Sequence, residues 1–343
     1  MRKSRYICWL SALMMTEGDF CAIRSANADL PLAVGPATIM ISGMLPTSYS
    51  THFVITLLAS PGKEPLSTAF VESMLPTLAL QDVVVNNTAW LKPGIACDLF
   101  VTHDNQDALD AKVHAAICDH PYDAVVQPAS NRGKKLIISD MDSTMITVEC
   151  IDELADFVGK KSEVSAITER AMNGELDFAA ALTERVSLLK GLPLTMLQEC
   201  YDERVKMMAG AKELLQTMKK HGAAAILVSG GFTFFTSRVS AELGFDEDHS
   251  NVLETAHGVL TGRVLLPILG KEAKLQKLRE ACEKLHISTN EVLAIGDGAN
   301  DLPMLLAAGL GVAYHAKPIV RAQAKARINI CDLSALIYVQ GYQ

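Results

Sequence analysis

Two acids one residue apart, Asp140 and Asp142, close the run Lys134-Lys135-Leu136-Ile137-Ile138-Ser139. The apolar stretch predicts a buried strand. Positions i and i+2 of an extended segment share a face, so both carboxylates can converge on one point. In open α/β sheets, ligands bind beyond the carboxyl ends of the strands. Carboxylates this close repel unless a cation or a shared proton separates them. A strand entering an Asp/Ser-rich turn or a helix cap would read the same way, so the pair needs support from elsewhere.

Two further segments supply it. Glu291-Val292-Leu293-Ala294-Ile295-Gly296 again runs as a strand into a glycine turn, here carrying Asp297, Asn300 and Asp301 ahead of Pro303. Pro303 suits a first helical turn, and Asp301 is placed to cap it. A capped turn accounts for Asp301 but not for the crowding of acids and Asn300 in one loop. Hard carboxylate oxygens, without His or Cys, suit Mg²⁺ better than zinc or copper. Ala223–Val228 is a third strand, ending in Ser229-Gly230-Gly231 before a helix. Glycines admit close backbone approach and a helix start favours an anion, although Ser-Gly-Gly by itself is as compatible with a plain turn. No Gly-Lys-Ser/Thr follows, which excludes a nucleotide P-loop. A phosphate site also needs a cation, and Lys274 is a candidate near the start of a predicted helix over 272–285. Spacing alone does not choose Lys274 over Lys271.

Asp-Met-Asp-Ser-Thr, Ser-Gly-Gly, a lysine and Gly-Asp-Gly-Ala-Asn-Asp come in that order, each at a strand end or a helix start. Together they resemble the haloacid dehalogenase superfamily of phosphatases, and within it the phosphoserine phosphatases, over roughly residues 135–325. The resemblance selects Lys274 as the phosphate lysine. It implies Asp140 as the nucleophile that forms an aspartyl-phosphate, and Asp142 as acid to the leaving alcohol and then base to water. It implies Mg²⁺ on Asp140, Asp297 and the main-chain carbonyl of Asp142, with Asp301 supporting the metal shell from behind. Ser229, Gly230, Lys274 and Asn300 are then the phosphoryl-binding groups. Glu149 matches the family's glutamate for the substrate ammonium, and Arg185 its arginine for the carboxylate, which a planar guanidinium binds in bidentate fashion. Met172 and Phe178 match an apolar wall over the substrate. Without the resemblance, Glu149 and Arg185 read as exposed helix charges, and Met172 and Phe178 as core. His315 is tempting as a base, but Asp142 already serves, which leaves it as a loop residue at the rim.

The implied function is Mg²⁺-dependent hydrolysis of O-phospho-L-serine, the last step of serine biosynthesis. The alternatives are a related phosphatase or phosphotransferase acting on another small phosphorylated alcohol and, in a different class, an amino-acid-sensing regulatory protein with a vestigial phosphatase domain. Intact Asp140, Asp142, Lys274 and Asp297 oppose the last. Glu149 with Arg185 separates the first from most of the second, because other substrates give that pair nothing to bind.

At 343 residues with 49% hydrophobic content, the chain is long enough for two globular domains. A net charge of −8 gives no support to nucleic-acid binding. No run of 18 apolar residues exists, so no membrane partner is expected. The eight cysteines lack metal-site or framework spacing, which points to reduced thiols in the cytoplasm. Arg2, Lys3 and Arg5 before the apolar 6–15 stretch superficially resemble a secretory signal. The expected reading is instead a poorly ordered extension over 1–45, with Met40 or Met44 as natural start.

Strand, helix, strand, strand, helix and strand follow at 51–59, 66–80, 83–90, 95–101, 107–118 and 123–127. That βαββαβ order predicts a ferredoxin-like unit over 46–130, similar to the small ACT-type domains of amino-acid enzymes. It carries no catalytic cluster, so a regulatory or homodimer-forming role is expected, and a chain beginning near Asn131 should retain catalysis. Residues 129–135 read as the linker. The rest, 131–343, is expected as a doubly wound parallel α/β sheet with a helical cap at about 148–208, and a hairpin at 251–267.

Overall fold

The structure, a computed structural model, describes residues 51–172 and 175–343. The extension expected over 1–45, its resemblance to a signal and the alternative starts lie outside the described residues.

Residues 51–128 run β1 (Thr51–Ala59), α1 (Thr68–Ala79), β2 (Val84–Lys92), β3 (Ala96–His103), α2 (Gln106–Ile117) and β4 (Tyr122–Pro128). Both helices begin at side-chain caps: Ser67 accepts the Phe70 N–H at 3.1 Å, and Asn105 the Ala108 N–H at 2.8 Å. The strands form one antiparallel sheet of order β2-β3-β1-β4, which is the ferredoxin-like arrangement. Alternation along β1 sends Phe53, Ile55 and Leu57 toward α1 and α2, where they meet Val71, Met74, Leu109 and Val113. The opposite face is buried as well. Leu58, with Ala96 and Val125, belongs to the core of the parallel-sheet body that follows.

That body begins with β5 (Leu136–Ser139), continues through helices α3 (Cys150–Phe157), α4 (Lys161–Met172), α5 (Phe178–Ser187) and α6 (Leu194–Arg204), and then reaches α7 (Ala211–Lys220). Next come β6 (Ala224–Phe232), α8 (Thr233–Leu243), β7 (Glu247–Asn251), β8 (Leu253–Ala256), β9 (Val259–Val264) and α9 (Lys271–Leu285). It ends with β10 (Val292–Gly296), α10 (Leu302–Ala307), β11 (Leu310–Tyr314), α11 (Pro318–Arg321), β12 (Ala326–Ile328) and α12 (Ala335–Val339). Six strands form a parallel sheet of order β12-β11-β10-β5-β6-β7. Both faces are covered, as parallel sheets require. Leu136 and Ile138 pack with Leu278, Met304 and Val320, while Ile137 packs with Leu214, Leu215 and Met218.

Helices α3 to α6 occupy the expected cap segment between β5 and α7. The predicted hairpin is present as β8–β9, shorter than 251–267, and it backs the cap. Gly191 N–H donates to Leu260 O at 2.8 Å, Leu260 N–H to Leu192 O at 2.9 Å, and Leu194 N–H to Gly258 O at 3.0 Å. Asn251 is not part of that hairpin. It ends the edge strand β7, whose polar sequence Glu-Asp-His-Ser-Asn carries no apolar signal. β6 also runs on through Ser229-Gly230-Gly231, because Phe232 pairs with Asn251 after a register break.

Residues 129–135 are polar, yet they do not form a free linker. Arg132 donates to Asp98 at 2.6 and 3.1 Å, to Thr56 Oγ1 at 3.1 Å, and to the carbonyls of Val339 and Tyr338 at 3.2 and 3.1 Å. Asp98 is only 1% exposed. Gln127 reaches Val339 O at 2.6 Å, and Arg327 pairs with Asp110. The expectation that residues before 131 are dispensable therefore meets a buried interface. Deleting them would uncover the part of the body's core that Leu58, Ala96 and Val125 cover, and strand the Arg132 guanidinium. Arg132→Ala should lower the unfolding free energy by about 3–5 kcal/mol, since it leaves Asp98 as an uncompensated buried charge. Urea denaturation of the full chain measures this, and a loss under about 1 kcal/mol would show that Asp98 is satisfied without it.

Candidate active site

β10, β5 and β6 lie side by side in the sheet, so the three motif loops leave one edge together. Asp140 follows the last residue of β5, and its N–H donates to Ile295 O at 3.0 Å, which fixes the loop against β10. The chain then turns tightly. Met141 N–H donates to Asp140 Oδ1 at 2.8 Å, and Ser143 takes a left-handed φ of 55°. The Cys150 N–H, the first of α3, donates to Asp142 Oδ1 at 3.0 Å. A cap helix thus holds a carboxylate of the sheet loop at its positive end.

Lys274 decides the charge arrangement. It projects from α9, is fully buried, and places Nζ 2.7 Å from Asp140 Oδ1 and 2.6 Å from Asp301 Oδ1. Lys271, Lys277 and Lys284 on the same helix pair instead with surface glutamates. Burial works to lower the pKa of the Lys274 ammonium, but Asp140 and Asp301 outweigh it and the pKa is raised. Asp301 stands at the start of α10 without capping it. Its carboxylate takes the lysine on one oxygen and the Gly298 N–H, at 3.0 Å, on the other. Gly296 has to be glycine, because any Cβ there would collide with the Asp301 carboxyl group.

The acids are short of counter-charge. Asp140 is pushed well above the usual carboxylate range by burial and by Asp301, with Lys274 opposing. Burial, then Asp301 and Glu149, push Asp297 up to about 6. Asp142, raised by burial and Glu149, reaches about 7. Asp140, Asp297 and Asp301 each bring an oxygen within 4.8 Å of the others. The Asp142 carboxylate is not in that group. Three oxygen donors whose like charge Lys274 relieves only in part fit a hard divalent cation, and both oxygens of Asp301 are already engaged, which leaves it behind Asp140 and Asp297.

Ser229 Oγ lies 3.3 Å from Asp142 Oδ2 and accepts the Gly231 N–H at 2.8 Å. A Cβ on Gly231 would stand 2.7 Å from Asp142 Oδ2, so this glycine lets β6 approach the acid. The Phe178 ring lies over Gly230, 3.0 Å from where a Cβ would be, and over Gly270 at 3.3 Å. The cap therefore touches the 229–231 end of β6 through that ring. The wall assigned to Met172, which ends α4, lies outside the described side chains. Asn300 folds its amide over Gly298 at the loop's tip.

Arg185 is half-buried on α5. Its Nε donates to Ala181 O at 3.3 Å, and its guanidinium forms no ion pair among the described residues. Burial lowers its pKa, against the fields of Asp152, Glu149 and Asp142. Glu149, exposed at the mouth, accepts Ser143 Oγ at 2.7 Å. Arg185, Glu149 and Asp142 thus share one region, from two cap segments and the sheet loop. Sequence reasoning missed Asn251, which is buried and ties Gly230 O to the 269 backbone through bonds of 2.9, 3.2 and 2.7 Å. Nothing in the polar run around it marks that role. The Cys150 N–H was equally hidden, since any residue but proline supplies one.

Comparison with known proteins is consistent with this geometry. The family model for haloacid dehalogenase-like hydrolases matches residues 137–306. A phosphoserine phosphatase from a Polaromonas species is 51% identical over 208 residues, 59% of this chain and 88% of that protein. The crystal structure of a haloacid dehalogenase family hydrolase from Salmonella enterica serovar Typhi superposes with a TM-score of 0.75 at 30% identity, over 84% of this chain and 98% of that one. A probable phosphoserine phosphatase from Vibrio cholerae gives 0.68 at 32% identity, over 87% and 90%.

The raised carboxylates predict a pH effect. Asp142 and Asp297 hold protons in the fold between about pH 4 and their folded values near 7 and 6, where the unfolded chain has released them. Their ionisation therefore destabilises the metal-free protein as pH rises through that window. Asp297→Asn should raise the melting temperature in chelator at pH 7.5 by more than at pH 5, and added Mg²⁺ should stabilise the wild type over the variant. Equal shifts at both pH values would mean that Asp297 is not strained by its neighbours.

Proposed function

The chain belongs to the phosphoserine phosphatases of the haloacid dehalogenase-like hydrolases, and on that premise we propose that it hydrolyses O-phospho-L-serine to L-serine and phosphate. The observation that carries the substrate assignment is Arg185: a half-buried guanidinium without an ion pair among the described residues, in the fields of Asp152, Glu149 and Asp142. A carboxylate fits Arg185 and an ammonium Glu149, with the phosphate at the strand ends.

Mg²⁺ at the Asp140–Asp297 oxygens, with the Asp142 carbonyl, would neutralise phosphoryl charge and orient the group for in-line attack. Asp140 holds Lys274 and the Met141 N–H on Oδ1, which fixes the carboxylate so that one oxygen can face the cation and the other phosphorus. As the bond from the attacking Asp140 oxygen to phosphorus forms, the bond from phosphorus to the serine oxygen breaks, and protonated Asp142 gives its proton to that oxygen. Water then attacks the aspartyl-phosphate while Asp142 takes its proton, which frees phosphate and restores Asp140. A carboxyl group near pKa 7 suits both halves of this exchange. Lys274, Ser229, Gly230 and Asn300 would hold the phosphoryl oxygens. Phe178, with Met172, would exclude water from the closed site.

The N-terminal unit is proposed as an ACT-type regulatory or dimerising domain, supported by its ferredoxin-like topology and by β2, a largely exposed sheet edge that pairs on one side only among the described residues. Serine biosynthesis and the cytoplasm are the setting that a free phosphorylated amino acid implies.

Two variants test the chemistry. Asp140→Asn should abolish phosphate release, because an amide cannot form the acyl phosphate; near wild-type turnover would sink the covalent route. Asp142→Asn should lose about 10²–10⁴-fold in both half-reactions with the fold intact. A loss that saturating Mg²⁺ abolishes would reassign Asp142 to the metal alone.

Arg185→Ala tests the substrate. It should raise KM for phosphoserine by about 2–5 kcal/mol in binding terms, and far less for a phosphate ester without a carboxylate. Equal loss on both esters would make Arg185 a clasp of the cap and remove the case for an amino-acid substrate.

A further inference from the structure

Asp123 ends far in sequence from the catalytic loops, yet its buried carboxylate accepts three consecutive backbone N–H groups of the parallel-sheet body. Asn329 donates to Oδ1 at 3.0 Å, and Ile330 and Cys331 to Oδ2 at 2.9 and 2.8 Å. A carboxylate with three such donors is a strong, directional anchor. The loop it holds then passes the constraint on. Cys331 O accepts from His315 Nε2 at 2.9 Å, so that nitrogen carries the proton, and the His315 N–H donates to Ile328 O at 2.8 Å. His315 stands at φ 43°, a left-handed backbone that a non-glycine residue keeps only when its surroundings impose it. Two residues on, the Lys317 N–H donates to Asp297 O at 3.1 Å. A continuous set of bonds therefore joins β4 of the ferredoxin-like unit to the backbone of a metal-site acid.

We propose that Asp123 and His315 are positioning residues that hold Asp297 in place for the divalent cation, so that the N-terminal unit takes part in building the metal site. The inference rests on the metal-dependent phosphatase reading above. His315 touches no reacting group. Its ring fixes the turn at 315–317, and that turn fixes Asp297. Loss of the Asp123 carboxylate leaves three amides without their acceptor, frees the 329–331 loop, and with it the Cys331 carbonyl on which His315 depends.

The test is calorimetric titration of the full chain with Mg²⁺, beside steady-state kinetics. His315 is exposed, so its replacement leaves the core intact. His315→Ala should weaken Mg²⁺ binding several-fold, less than the roughly 10–100-fold that removing a ligand's direct partner costs. His315→Gln, whose amide can still donate to Cys331 O, should recover most of that loss. Asp123→Ala should weaken Mg²⁺ binding similarly, and the double variant should be no worse than the weaker single, because both break one chain of bonds. kcat should return at saturating Mg²⁺, with KM for the phosphomonoester little changed. Wild-type Mg²⁺ affinity in His315→Ala, whatever its melting temperature, overturns the proposal, as does full additivity or a wild type that binds no Mg²⁺. Should Asp123→Ala fail to fold, the comparison of His315→Ala with His315→Gln decides. A wild type that binds Mg²⁺ but releases no phosphate from any phosphomonoester would overturn the phosphatase reading and leave the calorimetric result to judge the coupling.

Discussion

A single ammonium, Lys274 Nζ, stands between Asp140 and Asp301 at 2.7 and 2.6 Å with almost no access to water. Asp142, Asp297 and Glu149 raise the local negative charge further. Burying Asp140, Asp142 and Asp301 with one buried ammonium between them is unfavourable. The rest of the site can be understood as a response to it. Asp140 adds the Met141 N–H, Asp142 the Cys150 N–H, and Asp301 the Gly298 N–H. Each is a backbone donor, which compensates charge without adding a side chain that would fill the space for a ligand. The residual imbalance is what suits Asp140, Asp297 and Asp301 to a hard divalent cation.

The sheet order makes this crowding possible. Adjacent parallel strands β10, β5 and β6 deliver three loops to one edge, and glycines remove the Cβ atoms that would keep them apart. Gly296 yields to Asp301, Gly231 to Asp142, and Gly230 to Phe178. The cap enters the same economy of space. Its first helix supplies the N–H that holds Asp142, and its Phe178 lies on Gly230 near the end of β6.

The two sheets are likewise not independent. β1 is buried on both faces, one toward its own helices and the other toward the parallel-sheet body. Arg132 and Asp123 fasten that second face with charge-assisted bonds to backbone carbonyls and amides. A domain whose inner face is closed in this way cannot shift without exposing apolar surface. Any effect of a ligand on the ferredoxin-like unit would pass to the body through these bonds, and Asp123 lies on the route to Asp297.

Much of the chemistry was legible in residue order. Asp140, Asp142, Ser229, Asp297 and Asp301 stand at the ends of apolar runs, and such runs place their ends at a parallel sheet's edge whatever the details of packing. Both the βαββαβ order and the helical cap segment were also readable, because alternation and helical spacing are local properties. Spacing could not choose Lys274 from the lysines of α9, and the resemblance did so before burial against Asp140 and Asp301 gave the reason. The tertiary structure alone decided that Asp301 binds this lysine and does not cap its helix. It alone extended β6 through its glycines, by pairing Phe232 with Asn251 on an edge strand that has no apolar pattern. And it alone turned the polar 129–135 segment into an anchor. These outcomes rest on contacts between residues far apart in the chain, and on backbone donors that every residue type but proline carries, so no local pattern of side chains could have announced them.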